Sequence, residues 1–195
     1  MSSPPPPKGR PRDARAHAAI LDATSALLTE VGYAVTSIGA VAARAGVGKD
    51  TIYRRWSGKP DLVFEAVFTT TDHAPIPDTG TLSGDLAVLL RSLIDEFHAP
   101  AAAAALPGLL ADFAADPALR ARIRGDFLAP SKHRLLTVFE RAVRRGEIAA
   151  ATSVDLVLDT LAGAVFFHIG LIGEQPTPDL AGQLAALVAT GIEIR

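Results

Sequence analysis

Apolar residues recur along most of this chain at spacings of three and four, the pattern of amphipathic helices. Ala16, Ile20, Ala23, Leu27 and Val31 make the first stripe and predict a helix over 13–31 that Gly32 closes. Two shorter helices follow. Ile38, Val41 and Ala42 give the first of them, 37–45, one apolar face, and Ile52 and Trp56 do the same for the second, 49–56. Thr36 or Ser37 suits the N-cap of the first, because a hydroxyl there accepts from an unpaired backbone N–H; Gly46 can take the left-handed conformation that ends it, with Val47 packing the turn. Pro60 opens a fourth helix, running to about residue 72, with Leu62, Val63, Ala66 and Val67 on its apolar side.

The segment 73–80, HAPIPDTG, is a Pro/Gly linker and the best domain boundary. Five helices are predicted beyond it. Leu86, Leu89, Leu90, Leu93 and Phe97 define 83–98, and an alanine-rich helix over 100–115 should kink or break at Pro107-Gly108. Asp116-Pro117 caps a long segment to 145, kinked at Pro130, which removes an internal hydrogen bond. Ser153 starts a helix to 172, and Thr177-Pro178 the last, with Leu180, Leu184, Leu187, Val188 and Gly191 on one side. No strand alternation of useful length and no internal repeat is present. The expected fold is all-α, with about nine helices: a three-helix helix-turn-helix domain followed by a helical bundle.

Two short helices joined by a glycine turn form a helix-turn-helix unit, whose second helix here exposes Lys49, Asp50, Tyr53, Arg54 and Arg55, a set suited to phosphates and base edges. Residues 15–65 resemble the DNA-binding domain of the TetR-type (tetracycline-repressor-like) regulators through Ile20-Leu21, Leu27-Leu28, Gly32-Tyr33, Thr36, Val41-Ala42, Ala45-Gly46-Val47, Lys49, Thr51-Ile52-Tyr53, Trp56, Lys59 and Leu62. Gly48, Asp50 and Trp56 stand where that family usually has Ser, Gly and Phe, and Gly39-Ala40 where it often has polar groups. The resemblance implies a DNA-contacting set of Thr36, Ser37, Gly48, Lys49, Asp50, Thr51, Tyr53, Arg54, Arg55 and Lys59, with Lys49, Tyr53 and Lys59 on phosphates. Either Arg54 or Arg55 has the fork that reads guanine, and Trp56 reads as the apolar anchor between the short helices. The resemblance also implies a homodimer built by the last two helices and a palindromic double-stranded DNA operator. The domains are then a flexible basic arm (1–13), the DNA-binding domain (14–74) and a ligand-binding and dimerisation domain (75–195).

Charge changes the picture once the chain is divided. The net charge of −2 argues against a nucleic-acid partner, but residues 1–60 carry nine Lys/Arg against four Asp/Glu, and 61–195 carry ten against seventeen. A basic module of +5 on an acidic one of −7 is the asymmetry of a DNA-binding head on a regulatory body. The proline-rich start, with Lys8, Arg10 and Arg12, is either a minor-groove arm or a solubilising leader. It has no apolar stretch of a secretory signal. The longest apolar run, 161–173, is shorter than the roughly 20 residues of a bilayer span, so no membrane partner and a cytoplasmic location are expected. The absence of cysteine excludes disulfides and thiolate chemistry.

No metal, cofactor or catalytic role is expected. The five histidines form no HExxH pair, and AGVGKDT (45–51) lacks the glycine spacing and the hydroxyl after Lys49 that a phosphate loop needs. No nucleophile motif is present. A mostly apolar or aromatic small ligand is expected in the bundle, walled by Phe97, Phe113, Phe127, Phe139 and Phe167 and anchored by His133 or His168, with His168 otherwise an ordinary core histidine. Gly163, Phe166, Gly170 and Gly173 fall on one face at helical spacing and, with Leu184 and Leu187, make the expected dimer surface; the same glycines would also relieve crowding inside one subunit. The function so read is a dimeric repressor released from its operator by a small molecule. The alternatives are an activator or global regulator without an inducer, and a small-molecule binder with a vestigial head.

Overall fold

The structure is a computed structural model describing residues 10–68 and 75–192, without the side chains of 10–12, 126 and 127. Most of the expected basic arm, the end of the fourth helix and the start of the linker lie outside the described residues. The helices are α1 (Arg10–Val35), α2 (Ile38–Ala45), α3 (Lys49–Tyr53), α4 (Lys59–Phe68), α5 (Leu82–His98), α6 (Pro100–Ala115), α7 (Pro117–Arg122), α8 (Ala129–Arg145), α9 (Val154–Val165) and α10 (Leu180–Ile192). A π-helical stretch, Ile123–Leu128, joins α7 to α8, and a second, Phe166–Leu171, extends α9. Counted as continuous helices, α7–α8 and α9 with its extension bring the total to the nine expected, and no strand occurs among the described residues.

Three apolar clusters organise these helices. Ile20, Ala23, Val41, Ala42, Ile52, Trp56 and Leu62 form the core of the head, α1–α4. Leu82, Leu86, Leu90, Val138, Phe139, Leu161, Val165 and Ala185 are among those in the core of the body, α5–α10. A third cluster straddles the two, with Leu28 of α1 and Val63 and Val67 of α4 packed on Ala102, Ala105 and Leu109 of α6. The alanine stripe of α6 is therefore a docking face, since small side chains let α1 and α4 approach closely.

Two proline expectations turn out differently. α6 runs unbroken through Pro107, because Pro107 and Ala103, whose carbonyl the proline leaves unpaired, both face solvent. Around Pro130 the chain absorbs the missing N–H by widening to π geometry just before α8 and placing the proline in that helix's first turn, where the donor is dispensable. Gly32 breaks α1 as predicted, at φ 77° and ψ 173°, yet one more helical turn follows to Val35.

By length and composition two helical stretches, Asp13–Val35 and Val154–Leu171, reach the dimensions of a bilayer span. This corrects the expectation drawn from uninterrupted apolar runs. In the first, Ile20, Ala23 and Leu28 are buried against the rest of the chain and Asp22 and Glu30 are exposed. The second carries exposed Asp155 and Asp159 beside its apolar residues.

Candidate nucleic-acid interface and body cavity

Ser37 is the N-cap of α2, accepting from the N–H of Ala40 at 3.2 Å. Thr36 does another job: it is 2% exposed and its hydroxyl donates to the Gly32 carbonyl at 2.8 Å, holding the turn after the break in α1. Gly46 ends α2 at φ 66°. α3 (Lys49–Tyr53), with Gly48 at its N-cap, is shorter than expected, and Arg54 and Arg55 lie in the turn that follows.

Ile52 and Trp56 pin α3 to the head. Ile52 is fully buried, and Trp56 stacks on His17 of α1 at 5.3 Å while its indole N–H donates to Glu65 of α4 at 2.6 Å. Glu65 also pairs with His17 at 3.0 Å. A phenylalanine at 56 could not make the bond to Glu65, so the tryptophan gives this head an added polar tie between α3 and α4. Trp56 is an anchor here, 3% exposed.

What remains outward on α3 is Gly48, Lys49, Asp50, Tyr53 and Arg54, with Thr51 half-buried. Tyr53 is 56% exposed despite its ring, an apolar surface with a phenol tip standing in solvent. The stem of Lys49 lies across Gly39 of α2, its Cε 3.2 Å from where a Cβ would be. Gly39 thus lets the lysine pass between the two short helices. The two arginines separate clearly. Arg55 is folded back on Thr51, whose carbonyl it meets at 2.6 Å, and on the carboxylate of Asp13. Arg54 is exposed, and its backbone N–H caps α3.

Lys59, at the start of α4, donates to the Tyr33 carbonyl at 2.9 Å and lies 3.9 Å over the Tyr33 ring. Tyr33 in turn donates to Asp112 of α6, and burial, reinforced by that carboxylate, pushes its phenol well above the usual range. Its ring packs against Gly108 of α6, where any Cβ would overlap it. Beside this, Asp61 of α4 is buried and accepts from Ser57 N–H at 3.1 Å, from the Ser57 hydroxyl, and from Arg122 of α7 at 3.3 Å. Two polar bridges, Tyr33–Asp112 and Arg122–Asp61, therefore tie body helices to α1 and α4. Sequence periodicity could not find them, because they join residues 79 and 61 positions apart.

Among the described side chains the aromatics do not converge on one pocket: Phe139 borders a cleft of about 290 Å³ and Phe97 another of about 300 Å³. Phe113, Phe64, Phe68, Phe97 and Phe166 form a chain of ring contacts, at 5.9, 5.2, 5.0 and 6.3 Å, that runs from α6 over α4 to α5 and the second π-helical stretch. Phe139 is core, His133 and Phe167 are exposed, and the Phe127 side chain lies outside the described residues. His168 is half-buried, with Nε2 buried and without a hydrogen-bond partner. A cavity of about 140 Å³ instead opens between α5, α8 and α9, lined by leucines together with Ser92, Ser131 and Arg134. Ser92 also borders a cleft of about 410 Å³ at the seam between head and body, shared with Ser25, Ala66, Asp95 and Glu96. Among the described side chains, none of the aromatic or histidine residues expected to bind ligand lines this cavity.

The expected glycine face is split by the π-helical stretch. Widening after Val165 rotates Phe166 and Gly170 inward: Phe166 packs on Phe97, and a Cβ on Gly170 would come 2.5 Å from Leu106 of α6. Gly173 ends the segment in the left-handed region, and Gly163 stays open on the surface. Leu184 packs against the body core, while Leu156, Phe167, Leu171, Ile172 and Leu187 stand exposed.

Residues 20–66 match the family model "Bacterial regulatory proteins, tetR family", and 76–188 match "Tetracyclin repressor-like, C-terminal domain". The HTH-type transcriptional regulator AqdR of Rhodococcus erythropolis is 32% identical over 92% of this chain and 86% of its own. The DNA-binding transcriptional repressor TetR of Mycobacteroides abscessus is 31% identical over 77% and 80%. A crystal structure of a TetR family transcription regulator superposes with a TM-score of 0.73 at 27% identity, covering 91% of this chain and 98% of that one. FadR of Bacillus subtilis, crystallised with stearoyl-CoA, shares the fold with a TM-score of 0.63 at 20% identity, over 90% and 99%.

Proposed function

This chain belongs to the TetR family of bacterial transcription regulators and is not an enzyme, and on that premise we propose that it is a dimeric repressor which leaves a palindromic operator when a small molecule occupies its body. Such a protein works in the cytoplasm. The observation that carries the reading is the outward face of α3, where Lys49, Tyr53 and Arg54 are exposed while Ile52 and Trp56 are pinned beneath. Lys49 and Tyr53 meet phosphates, by counterion displacement and a phenolic hydrogen bond. Arg54, and not Arg55, reads a base, because Arg55 is already held by Thr51 and Asp13. Lys59 reaches phosphate only by leaving the Tyr33 carbonyl.

The head comprises residues 14–74 and the body 75–195. The dimer forms through α9 with its π-helical extension and α10, where Phe167, Leu171, Ile172 and Leu187 leave an apolar face uncovered. A two-fold axis there presents two α3 helices, which sets half-sites about one helical turn apart or a multiple of it. Ligand and operator are coupled through the body's contacts with the head. An occupant of the cavity presses on Leu128 and Ser131, beside the π-helical joint whose other end is α7 and Arg122. Moving Arg122 disturbs Asp61 and the Ser57 turn that follows α3. Coupling of this kind is worth about 1–3 kcal/mol in typical allosteric systems.

Sequencing DNA selected by the purified protein from a random pool tests this reading, with sedimentation of the selected complex. Enrichment of a palindrome bound by two or more protomers is expected. Absence of any enriched sequence, or a stable monomer at micromolar concentration, contradicts it.

A further inference from the structure

Among the side chains that α3 turns outward, one has the wrong sign for a phosphate. Asp50 is exposed in the first turn of α3, on a face whose other charged groups are Lys49 and Arg54. The packing beneath leaves it outward: Ile52 is fully buried, Thr51 is half-buried, and the stem of Lys49 lies across Gly39 of α2. Among the described residues no hydrogen bond or ion pair takes up the Asp50 side chain. Beside the DNA backbone a carboxylate is repelled and releases no counterion. It is favourable only where it meets a donor, and in the major groove the donors are the amino groups of cytosine and adenine.

Those two amino groups are not equivalent for a carboxylate, which offers acceptors only. Adenine sets its N7 acceptor beside the amino group, so one carboxylate oxygen meets a like dipole, whereas cytosine presents its amino group without that neighbour. Guanine and thymine present acceptors to the same groove and are repelled. Arg54 supplies the spacing. Its backbone N–H donates to the Asp50 carbonyl at 3.1 Å, and its φ of −72° and ψ of −18° stay in the helical region, so the two side chains share a face one turn apart. One turn is about 5.4 Å along the axis, against about 3.4 Å per base step. The bases they touch are therefore one or two steps apart.

We infer that Asp50 is a specificity-determining residue: its carboxylate accepts from the amino group of a cytosine within two base steps of the guanine that Arg54 reads, and it repels guanine and thymine there. This deepens the proposed function and rests on its reading of α3 as the helix that enters the groove. A glycine at this position, usual in the family, has no side chain to make that contact, so the aspartate adds a position to the sequence requirement of the operator.

Sequencing of DNA enriched from a random pool by the full chain tests this, run in parallel for the wild type, Asp50→Asn, Asp50→Ala and Arg54→Ala. Asp50→Asn should move the preference at one position of each half-site from cytosine to adenine, because an amide matches both the amino group and N7 of adenine. Asp50→Ala should lose roughly fivefold or more of the discrimination at that position. It should also bind DNA lacking the palindrome as tightly as the wild type or tighter, since a charge that repels phosphate is gone. The position should lie within two base steps of the one that Arg54→Ala loses. A carboxylate that only stabilised the first turn of α3 would shift the melting temperature and leave the base profile alone. An Asp50→Ala profile equal to the wild type, beside an Arg54→Ala profile that has lost its own position, overturns this inference alone. So does a loss in Asp50→Ala confined to the guanine of Arg54, which makes the aspartate a positioning group for that arginine. Profiles unchanged in both variants, or no sequence enriched by the wild type, overturn the reading of α3 and this inference with it.

Discussion

The head and the body are built from the same kind of helix but carry chemistry differently. In the head, chemistry stands on the outside of a short helix: Ile52 and Trp56 are locked inward, and Lys49, Tyr53 and Arg54 are displayed at fixed spacing. In the body it lies between helices, as a leucine-lined cavity, and as exposed apolar residues on α9, its extension and α10. Displayed chemistry must keep its residue types in register along one segment, so it can be read from one segment. Enclosed chemistry is assembled by three helices distant in sequence, and many combinations of leucine satisfy it.

The contrast fades at the seam, where Leu28, Val63, Val67, Ala102, Ala105 and Leu109 form one cluster. Head and body should therefore melt together. Leu28→Ala, at a fully buried position, should cost about 2–5 kcal/mol and lower a single calorimetric transition. Two separate transitions in the wild-type protein, or a variant that destabilises the head alone, would break the idea of a shared core.

Gly108→Ala sharpens the same point at one atom. A methyl group there overlaps the Tyr33 ring, so α6 must retreat or the ring must leave. The expected cost is about 1–3 kcal/mol in chemical denaturation. Tyr33 released from Asp112 also frees Lys59, so the steepness of the salt dependence of DNA binding should rise in the same variant. Unchanged stability would mean that Tyr33 is not clamped in solution.

How far the sequence could be read follows from these differences. The helices, the Gly46 turn, the Trp56 anchor and the Asp116 cap were legible because each depends on residues within a few positions. Arg54 and Arg55 were indistinguishable in sequence; contacts of Arg55 with Asp13 and Thr51 separate them. How the glycines of α9 face was not legible, because helical spacing assumes 3.6 residues per turn and the π-helical stretch after Val165 departs from it. Ring packing was not legible either: Phe113 and Phe97 contact Phe64 and Phe68 of α4, and Phe166, expected on the dimer face, packs on Phe97.

Where the linker meets the body, the effect of pH is smaller and has a definite sign. Burial pushes the Glu147 carboxyl up, but the Arg145 hydrogen bond, the Leu82 N–H at 2.6 Å and the charge of Arg145 outweigh it and hold the carboxyl below its usual range. A depressed carboxyl contributes stability that is complete above its unfolded value of about 4.3 and is lost as pH falls through the folded value. Glu147→Gln should therefore be less stable than wild type by about 1 kcal/mol at pH 7. The difference should close at acid pH. A gap that persists after the carboxyl is protonated would assign the effect to packing.

The most direct test of the displayed-helix account is a base-by-base affinity profile of the operator for the wild type, Arg54→Ala and Arg55→Ala. The account predicts that Arg54→Ala loses about 1–3 kcal/mol of discrimination at one position in each half-site and keeps its preferences elsewhere. Arg55→Ala, which removes a bond inside the head, should lower stability and leave the sequence preference intact. A profile for Arg54→Ala that matches wild type at every position would contradict the assignment of α3 as the reading head.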